Sequence, residues 1–133
     1  MLLLEMTLAA VPTAPGAARQ AVRTWFHSRD CGDDATDTAA LLVTELVSNA
    51  VVHANGASLW LTVDETKTNV LHVAVRDGSQ VIPPHSRQTP DVRRKGGRGL
   101  FMVDALSTRW GCEPLRTGKR VWFELPCVAV SHS

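Results

Sequence analysis

The chain has 133 residues, of which 44% are hydrophobic, so it has the size of one domain that can bury its own core. Its formal net charge is +1, and its basic residues are scattered apart from Arg93, Arg94, Lys95 and Arg98, so it lacks the electrostatic footprint of a general nucleic-acid binder. Three widely separated cysteines without Cys-x-x-Cys spacing argue against a disulfide framework and a zinc site, and they favour a reduced cytoplasm.

The N-terminal residues 1–4 are apolar, but Glu5 interrupts them and no basic segment precedes them, which argues against a signal peptide. No apolar run is expected to approach membrane-spanning length. From here the chain is predicted to alternate between strands and helices. The expected elements are a strand at 2–8, helices at 15–28 and from Asp33 or Asp34 to about His53, strands at 57–65 and 69–77, a helix at 100–106, and strands near 108–114 and 119–125.

This order of elements predicts an α+β fold, in which helices cover one face of a mostly antiparallel sheet in a two-layer sandwich. The polar residues TKTN between the second and third strands favour an antiparallel hairpin. We expect residues 1–126 to form the domain and residues 127–133 to form a C-terminal tail.

The second helix carries an unusual polar stripe within TELVSNAVVHA. Glu45, Asn49 and His53 recur at intervals of four residues, so their side chains share one helix face. Carboxylate and amide oxygens suit magnesium, and a glutamate can accept a proton from an attacking hydroxyl. The same spacing also fits a solvated helix edge, and His53 fits a structural role at the helix end.

The third strand ends in RDGS. Asp77 at this position can accept a hydrogen bond from an exocyclic amino group such as that of adenine, and Gly78 lets a ligand approach the backbone. An ordinary Asp-Gly turn is the alternative. The long segment 78–98 that follows, rich in proline and glycine, is typical of a binding lid or a disordered loop.

The sequence KGGRGL precedes the third helix. Gly96, Gly97 and Gly99 free the backbone there, so that amide groups and the positive end of the helix can converge on phosphate, with charge added by Lys95 and Arg98. Neither the P-loop pattern nor G-x-G-x-x-G occurs. The glycine cluster alone is weak evidence for a phosphate site.

Together, and in this order, these motifs resemble the ATP-binding fold shared by gyrase, the Hsp90 chaperones, histidine kinases and MutL. Within that superfamily, TELVSNAVVHA, RDGS, GGRGL and GKRVWFELP are most similar to the small bacterial anti-sigma factor serine/threonine kinases. The resemblance covers about residues 2–126 and implies a Bergerat-type ATP-binding domain.

The resemblance also implies roles for particular residues. Asn49 would hold the magnesium that bridges the ATP phosphates, Glu45 would be the general base toward a serine or threonine hydroxyl, and Asp77 would recognise adenine. The nucleotide-binding residues carried over from RDGS and GGRGL are Gly78, Gly97, Arg98, Gly99 and Leu100. The implied partners are ATP, a sigma factor and an antagonist protein, without direct nucleic-acid or membrane binding, and a homodimer stays open as an alternative to a monomer.

The chain departs from the family pattern at two places. Ser79 and Val81 stand where the pattern D-x-G-x-G has glycines. Members of the family also carry a threonine in the last motif that helps the aspartate to hold adenine through water, and here we assign that place to Arg120. Three functions therefore remain open, namely an ATP- and magnesium-dependent protein kinase, a non-catalytic ATP-responsive binding module, and a slow ATPase.

Overall fold

The computed structural model describes residues 1–54, 57–78 and 97–128, and the side chains of residues 54 and 97–100 lie outside this description. The described residues form three helices and five strands. These are β1 (Leu2–Ala9), α1 (Ala14–Ser28), α2 (Asp33–Ala54), β2 (Ser58–Lys67), β3 (Val70–Asp77), α3 (Gly97–Leu106), β4 (Arg109–Leu115) and β5 (Gly118–Pro126).

The five strands form one antiparallel sheet in the order β1-β2-β3-β5-β4. Thr68 and Asn69 turn the chain between β2 and β3, and Asn69 has a φ of 63°. Asparagine tolerates this left-handed conformation better than most residues do, which suits it to a tight hairpin turn. The predicted hairpin is confirmed.

The core lies between the helices and one face of the sheet. Side chains alternate along a strand, so every second residue of β3 and β5 faces the helices. On β3 and β5 the buried inward-facing apolar residues are Leu71, Val73, Val75, Val121, Phe123 and Leu125. Helix α1 adds Ala18, Val22 and Phe26, and α2 adds Leu42, Val43, Leu46, Val47 and Ala50. The predicted two-layer α+β sandwich is confirmed.

Most predicted boundaries agree with the structure to within two residues, but α3 begins at Gly97 instead of Leu100. Gly97 and Gly99 therefore lie in the first helical turn and not in the preceding loop. Glycine is a weak helix former, which explains why the sequence placed the start of this helix after the last glycine.

The expectation that the cysteines form no disulfide is wrong. Cys31, in the turn between α1 and α2, is bonded to Cys127, which directly follows β5, and their Cα atoms are 4.7 Å apart. The two residues are 96 positions apart in sequence, so no spacing motif could reveal the pair. The backbone amide of Cys127 also donates to the carbonyl oxygen of Asn69 at 2.7 Å, which holds this residue of the expected tail against the hairpin turn.

Helix α2 also corrects an expectation about apolar runs. Residues Asp33–His53 have a mean hydropathy of 1.2 and are long and apolar enough, by length and composition alone, to cross a bilayer. Half of this stretch is buried inside the fold. A core helix that packs against a neighbouring helix and a sheet meets the same test, so this property does not by itself indicate a membrane segment.

Candidate functional site

The polar stripe of α2 faces the end of the sheet where β3 stops and β5 begins. Asn49 is only 6% exposed and Glu45, one turn earlier, is half-buried. Among the described residues, no group accepts a hydrogen bond from Nδ2 of Asn49. A buried donor without a partner costs free energy, so an acceptor from outside the chain would stabilise this side chain.

Asp77, the last residue of β3, lies across from Lys119, the second residue of β5. Both side chains are almost completely buried, at 2% and 1% exposure, and the Lys119 Nζ lies 3.2 Å from each carboxylate oxygen of Asp77. A buried ammonium group is tolerated only when it is paired and hydrogen-bonded. The ion pair therefore accounts for the burial of Lys119.

Gly118 allows this pairing. It has a φ of 157°, and a Cβ atom at this position would overlap the carbonyl oxygen of Asp77 and would lie 2.8 Å from the Cα of Gly78. Only a residue without a side chain lets the start of β5 approach the end of β3 so closely. The glycine thereby places Lys119 directly opposite Asp77.

The sequence-based assignment of Arg120 to the position beside the aspartate is wrong. Arg120 lies on the opposite face of the sheet, where it forms an ion pair with Glu113, and Lys119 is the residue beside Asp77. The alternation of the strand could have shown this. Val121 and Phe123 face the core, so residue 119 shares their face and residue 120 does not.

His53 lies in the last turn of α2, as expected, and its Nδ1 is 3.5 Å from the Lys119 Nζ. Asn49, Asp77 and Lys119 line a common cavity of about 10 Å³, which has room for about one water molecule. Apolar walls complete the cavity, formed by Leu46, Ala50, Val75 and Val121. The structure thus brings together the predicted Asn49 and Asp77, and it adds Lys119, while Glu45 lies outside the lining.

The remaining predicted site residues are only partly described. Gly78 directly follows Asp77 in a bend, and Gly97, Arg98, Gly99 and Leu100 form the first turn of α3, which packs against α2. The side chains of this turn lie outside the described residues. The same holds for all of residues 79–96, including Ser79, Val81, Lys95 and Gly96.

The donor set at the cavity fits a magnesium ion that is shared with phosphate oxygens better than one held by the protein alone. Within the described ranges, no three His, Cys, Asp or Glu side chains are grouped as a metal site. Magnesium commonly takes one or two protein oxygens and completes its octahedron with waters and substrate phosphates. The amide of Asn49 can supply one such oxygen.

Comparison with known proteins identifies a family model. The model of the histidine kinase-like ATPase domain matches residues 8–124 of the chain. No curated protein matches the chain significantly.

Several solved structures share the fold. The RsbU and RsbW domains of Rv1364c from Mycobacterium tuberculosis superpose with a TM-score of 0.63 at 18% identity, covering 98% of this chain and 34% of that one. Full-length ShkA in complex with AMPPNP gives a TM-score of 0.62 at 21% identity, covering 93% and 32%. The histidine kinase AdeS from Acinetobacter baumannii gives 0.55 at 12% identity, covering 96% and 69%. The chain therefore spans about a third of the length of the first two proteins.

Proposed function

We propose a function for this chain, which belongs to the histidine kinase-like ATPase domain family. In this proposal it is an ATP- and magnesium-dependent protein kinase that phosphorylates a serine or threonine of an antagonist protein. It thereby acts as an anti-sigma regulatory factor. The observation that carries the proposal is the convergence of Asn49 and Asp77 on one cavity at the end of the sheet. These two residues come from separate elements, α2 and β3. Their meeting is what a nucleotide site built from the two motifs requires.

In the proposed site, Asp77 accepts a hydrogen bond from the amino group of adenine. Asn49 would hold a magnesium ion, and that ion would neutralise negative charge on the phosphates of ATP. Gly78 gives the base room near the backbone, and the turn formed by Gly97, Arg98, Gly99 and Leu100 supplies backbone amides and one positive charge for the phosphates.

Glu45 is proposed as the general base. It would take the proton of the serine or threonine hydroxyl as the hydroxyl oxygen bonds to the γ-phosphorus, and the bond from that phosphorus to the β,γ-bridging oxygen would break to release ADP. Glu45 is half-buried one helical turn from Asn49, and it forms no hydrogen bond or ion pair with another described residue. Its carboxylate is therefore available as a proton acceptor.

The proposed partners are a sigma factor and its antagonist protein, with the chain acting as a monomer or a homodimer. The cytoplasm is proposed from these partners alone, because the Cys31–Cys127 bond removes the argument from unpaired cysteines. This choice follows the similarity of the sequence motifs to those of the anti-sigma factor kinases. A solved structure with an RsbW domain shares the fold of this chain, and at 18% identity its support extends to the fold alone.

A non-catalytic ATP-responsive binding module is the second candidate. It is favoured by the position of Glu45 outside the lining of the cavity that Asn49 and Asp77 share. In that case ATP would order the site and present a surface, without phosphate transfer. A slow ATPase would be a third outcome, in which water replaces the protein hydroxyl.

The test begins with calorimetric titration of ATP, with and without magnesium, into the unmodified protein and into Asn49→Ala. We expect magnesium to strengthen binding only in the unmodified protein, and Ser48→Ala, its neighbour on α2, to behave as the unmodified chain. Labelled ATP is then incubated with candidate antagonist proteins. Phosphate transfer that Glu45→Gln lowers by about 10²-fold or more, with ATP binding retained, supports the kinase.

Glu5→Gln, on an exposed position of β1, is the matched control and should transfer phosphate normally. Binding of ATP without any transfer would favour the module, and release of phosphate without a protein acceptor would favour the ATPase. A protein that binds no ATP at all would end the proposal.

A further inference from the structure

Lys119 is the one charged side chain of the cavity to which the proposed chemistry gives no role. It is only 1% exposed, and such burial is costly for an ammonium group unless something recovers the lost hydration. Its contacts within the cavity are the two carboxylate oxygens of Asp77, each at 3.2 Å, and Nδ1 of His53 at 3.5 Å.

The Lys119–Asp77 pair combines a hydrogen-bond donor with a hydrogen-bond acceptor. An ammonium group can only donate hydrogen bonds and an ionised carboxylate can only accept them. The two groups therefore present a donor beside an acceptor, between the apolar walls formed by Val75 and Val121. Because both residues are fixed on paired strands, this arrangement exists before any ligand arrives, and little entropy is lost in using it.

The cavity beside the pair has a volume of about 10 Å³, which is room for about one water molecule, so a whole ring system cannot enter it and only the edge of a base could approach the pair there. One edge of adenine carries the complementary pattern, with the 6-amino group as a donor and the adjacent ring nitrogen N1 as an acceptor. Guanine carries the reverse, an oxygen acceptor at position 6 and an N–H donor at position 1.

We propose that Lys119 is a specificity-determining residue that exchanges its long contact with His53 for a hydrogen bond to N1 of adenine, while Asp77 accepts a hydrogen bond from the 6-amino group. This role of Lys119 rests on the proposed ATP binding, and it names the contact between Nζ and N1 as the one by which the site selects adenine. With guanine in the same position, two acceptors would face each other at Asp77 and two donors would face each other at Lys119. Unpaired buried polar groups discriminate strongly between ligands.

The experiment removes the nitrogen from the ligand instead of the lysine from the protein. Dissociation constants of the unmodified protein are measured by calorimetry for ATP, 1-deaza-ATP and 7-deaza-ATP. A hydrogen bond to a charged group implies that 1-deaza-ATP binds about tenfold or more weakly than ATP. The analogue 7-deaza-ATP, which lacks a nitrogen on another edge, should bind within about threefold of ATP.

The same titrations with Lys119→Met should bring the ratio of the 1-deaza-ATP and ATP dissociation constants close to one. Lys67→Met, at an exposed lysine near the end of β2, is the matched control and should keep the ratio of the unmodified protein. If Lys119→Met does not fold, Lys119→Gln, which keeps a neutral donor, should show an intermediate ratio.

The two proposals fail in different ways. Equal affinity of the unmodified protein for ATP and 1-deaza-ATP would overturn the role of Lys119 and leave ATP binding intact. Absence of binding by ATP itself would overturn the proposed function, and the role of Lys119 with it.

Discussion

The paired strands β3 and β5 carry a basic residue paired with an acidic one near each end, and the two pairs differ in their surroundings. At one end, Asp77 and Lys119 face the helices with their side chains 2% exposed. Near the other end, His72 and Glu124 lie directly opposite each other on the face of the sheet that points away from the helices, with their side chains 14% and 9% exposed and a distance of 3.0 Å between Nδ1 and Oε2.

The outer pair is supported by several neighbours. Oε1 of Glu124 lies 3.5 Å from Nη1 of Arg109, and Thr66 donates a hydrogen bond to Oε2 at 3.5 Å. The ring of His72 stacks on Trp122, with 4.9 Å between the ring centroids. Loss of one contact therefore leaves the others in place, whereas the hydrogen bonds of Lys119 depend on Asp77 and His53.

The disulfide lies at the same end of β5 as the outer pair. Cys127 follows Lys119 by eight positions, which corresponds to about 26 Å along an extended chain. The covalent anchor of the sheet is thus remote from the candidate nucleotide site. One end of β5 is therefore tied to the fold by a covalent bond, while the other end holds Lys119 beside Asp77 at the proposed nucleotide site.

The largest expected effect follows loss of the disulfide. A bond between residues 96 positions apart restricts the unfolded chain strongly, so the double change Cys31→Ser and Cys127→Ser should lower the free energy of unfolding by about 4 kcal/mol. ATP affinity should stay within about twofold. Urea denaturation and calorimetry measure the two quantities, with Cys112→Ser as the control. A parallel loss of ATP affinity would contradict the separation of the two ends.

Asp77→Asn should lower the free energy of unfolding by about 3 kcal/mol, because it leaves the ammonium of Lys119 buried without its carboxylate. It should also reduce the preference for ATP over GTP. Asp64→Asn, on the face of β2 that points away from the helices, should change neither quantity. Equal affinity of the unmodified protein for ATP and GTP would count against the assignment of Asp77, whatever the effect on stability.

Glu124→Gln should lower the free energy of unfolding by about 1 kcal/mol, since the amide keeps an oxygen that can accept hydrogen bonds from the remaining neighbours. Glu113→Gln, which disturbs only the exposed pair with Arg120, should cost still less. Neither change should alter ATP affinity. If Glu124→Gln lowered the free energy of unfolding as much as Asp77→Asn does, the additional contacts of the outer pair would not reduce the cost of losing one charge.

Cys112 offers a small probe of the site end, because it is the cross-strand partner of Val121 on β4. Burial raises the pKa of the Cys112 thiol, and the nearby Lys119 partly opposes this rise. A raised pKa leaves less thiolate at neutral pH, so alkylation by iodoacetamide should be slower than for an exposed thiol and should accelerate only as the pH rises further. Lys119→Met removes the charge that lowers the pKa of Cys112, so alkylation of this thiol at pH 8 should become slower still. Faster alkylation in this variant would argue against the electrostatic effect of Lys119.

The sequence predicted the fold well because local patterns decide it. The alternation of residues 119–125 and the helical spacing of α2 both report burial that the structure confirms. Two features were missed for different reasons. Lys119 was overlooked because the last motif was placed on Arg120, although the alternation of side chains along β5 puts residue 119 on the face of Asp77. The Cys31–Cys127 bond was overlooked because proximity between distant residues leaves no local sequence pattern. The roles of Glu45, Asn49 and Asp77 stay predictions.

The bond between Cys31 and Cys127 has a consequence for a cleaved form of the chain. A protease that cuts anywhere within residues 79–96 would produce two fragments, the first with Cys31, α2 and β3 and the second with Cys127, α3 and β5. The fragments would migrate as one species without a reductant and as two species with it. The pairing of β3 with β5 would also span the cut, so this protein is well suited to assembly from two separately expressed halves.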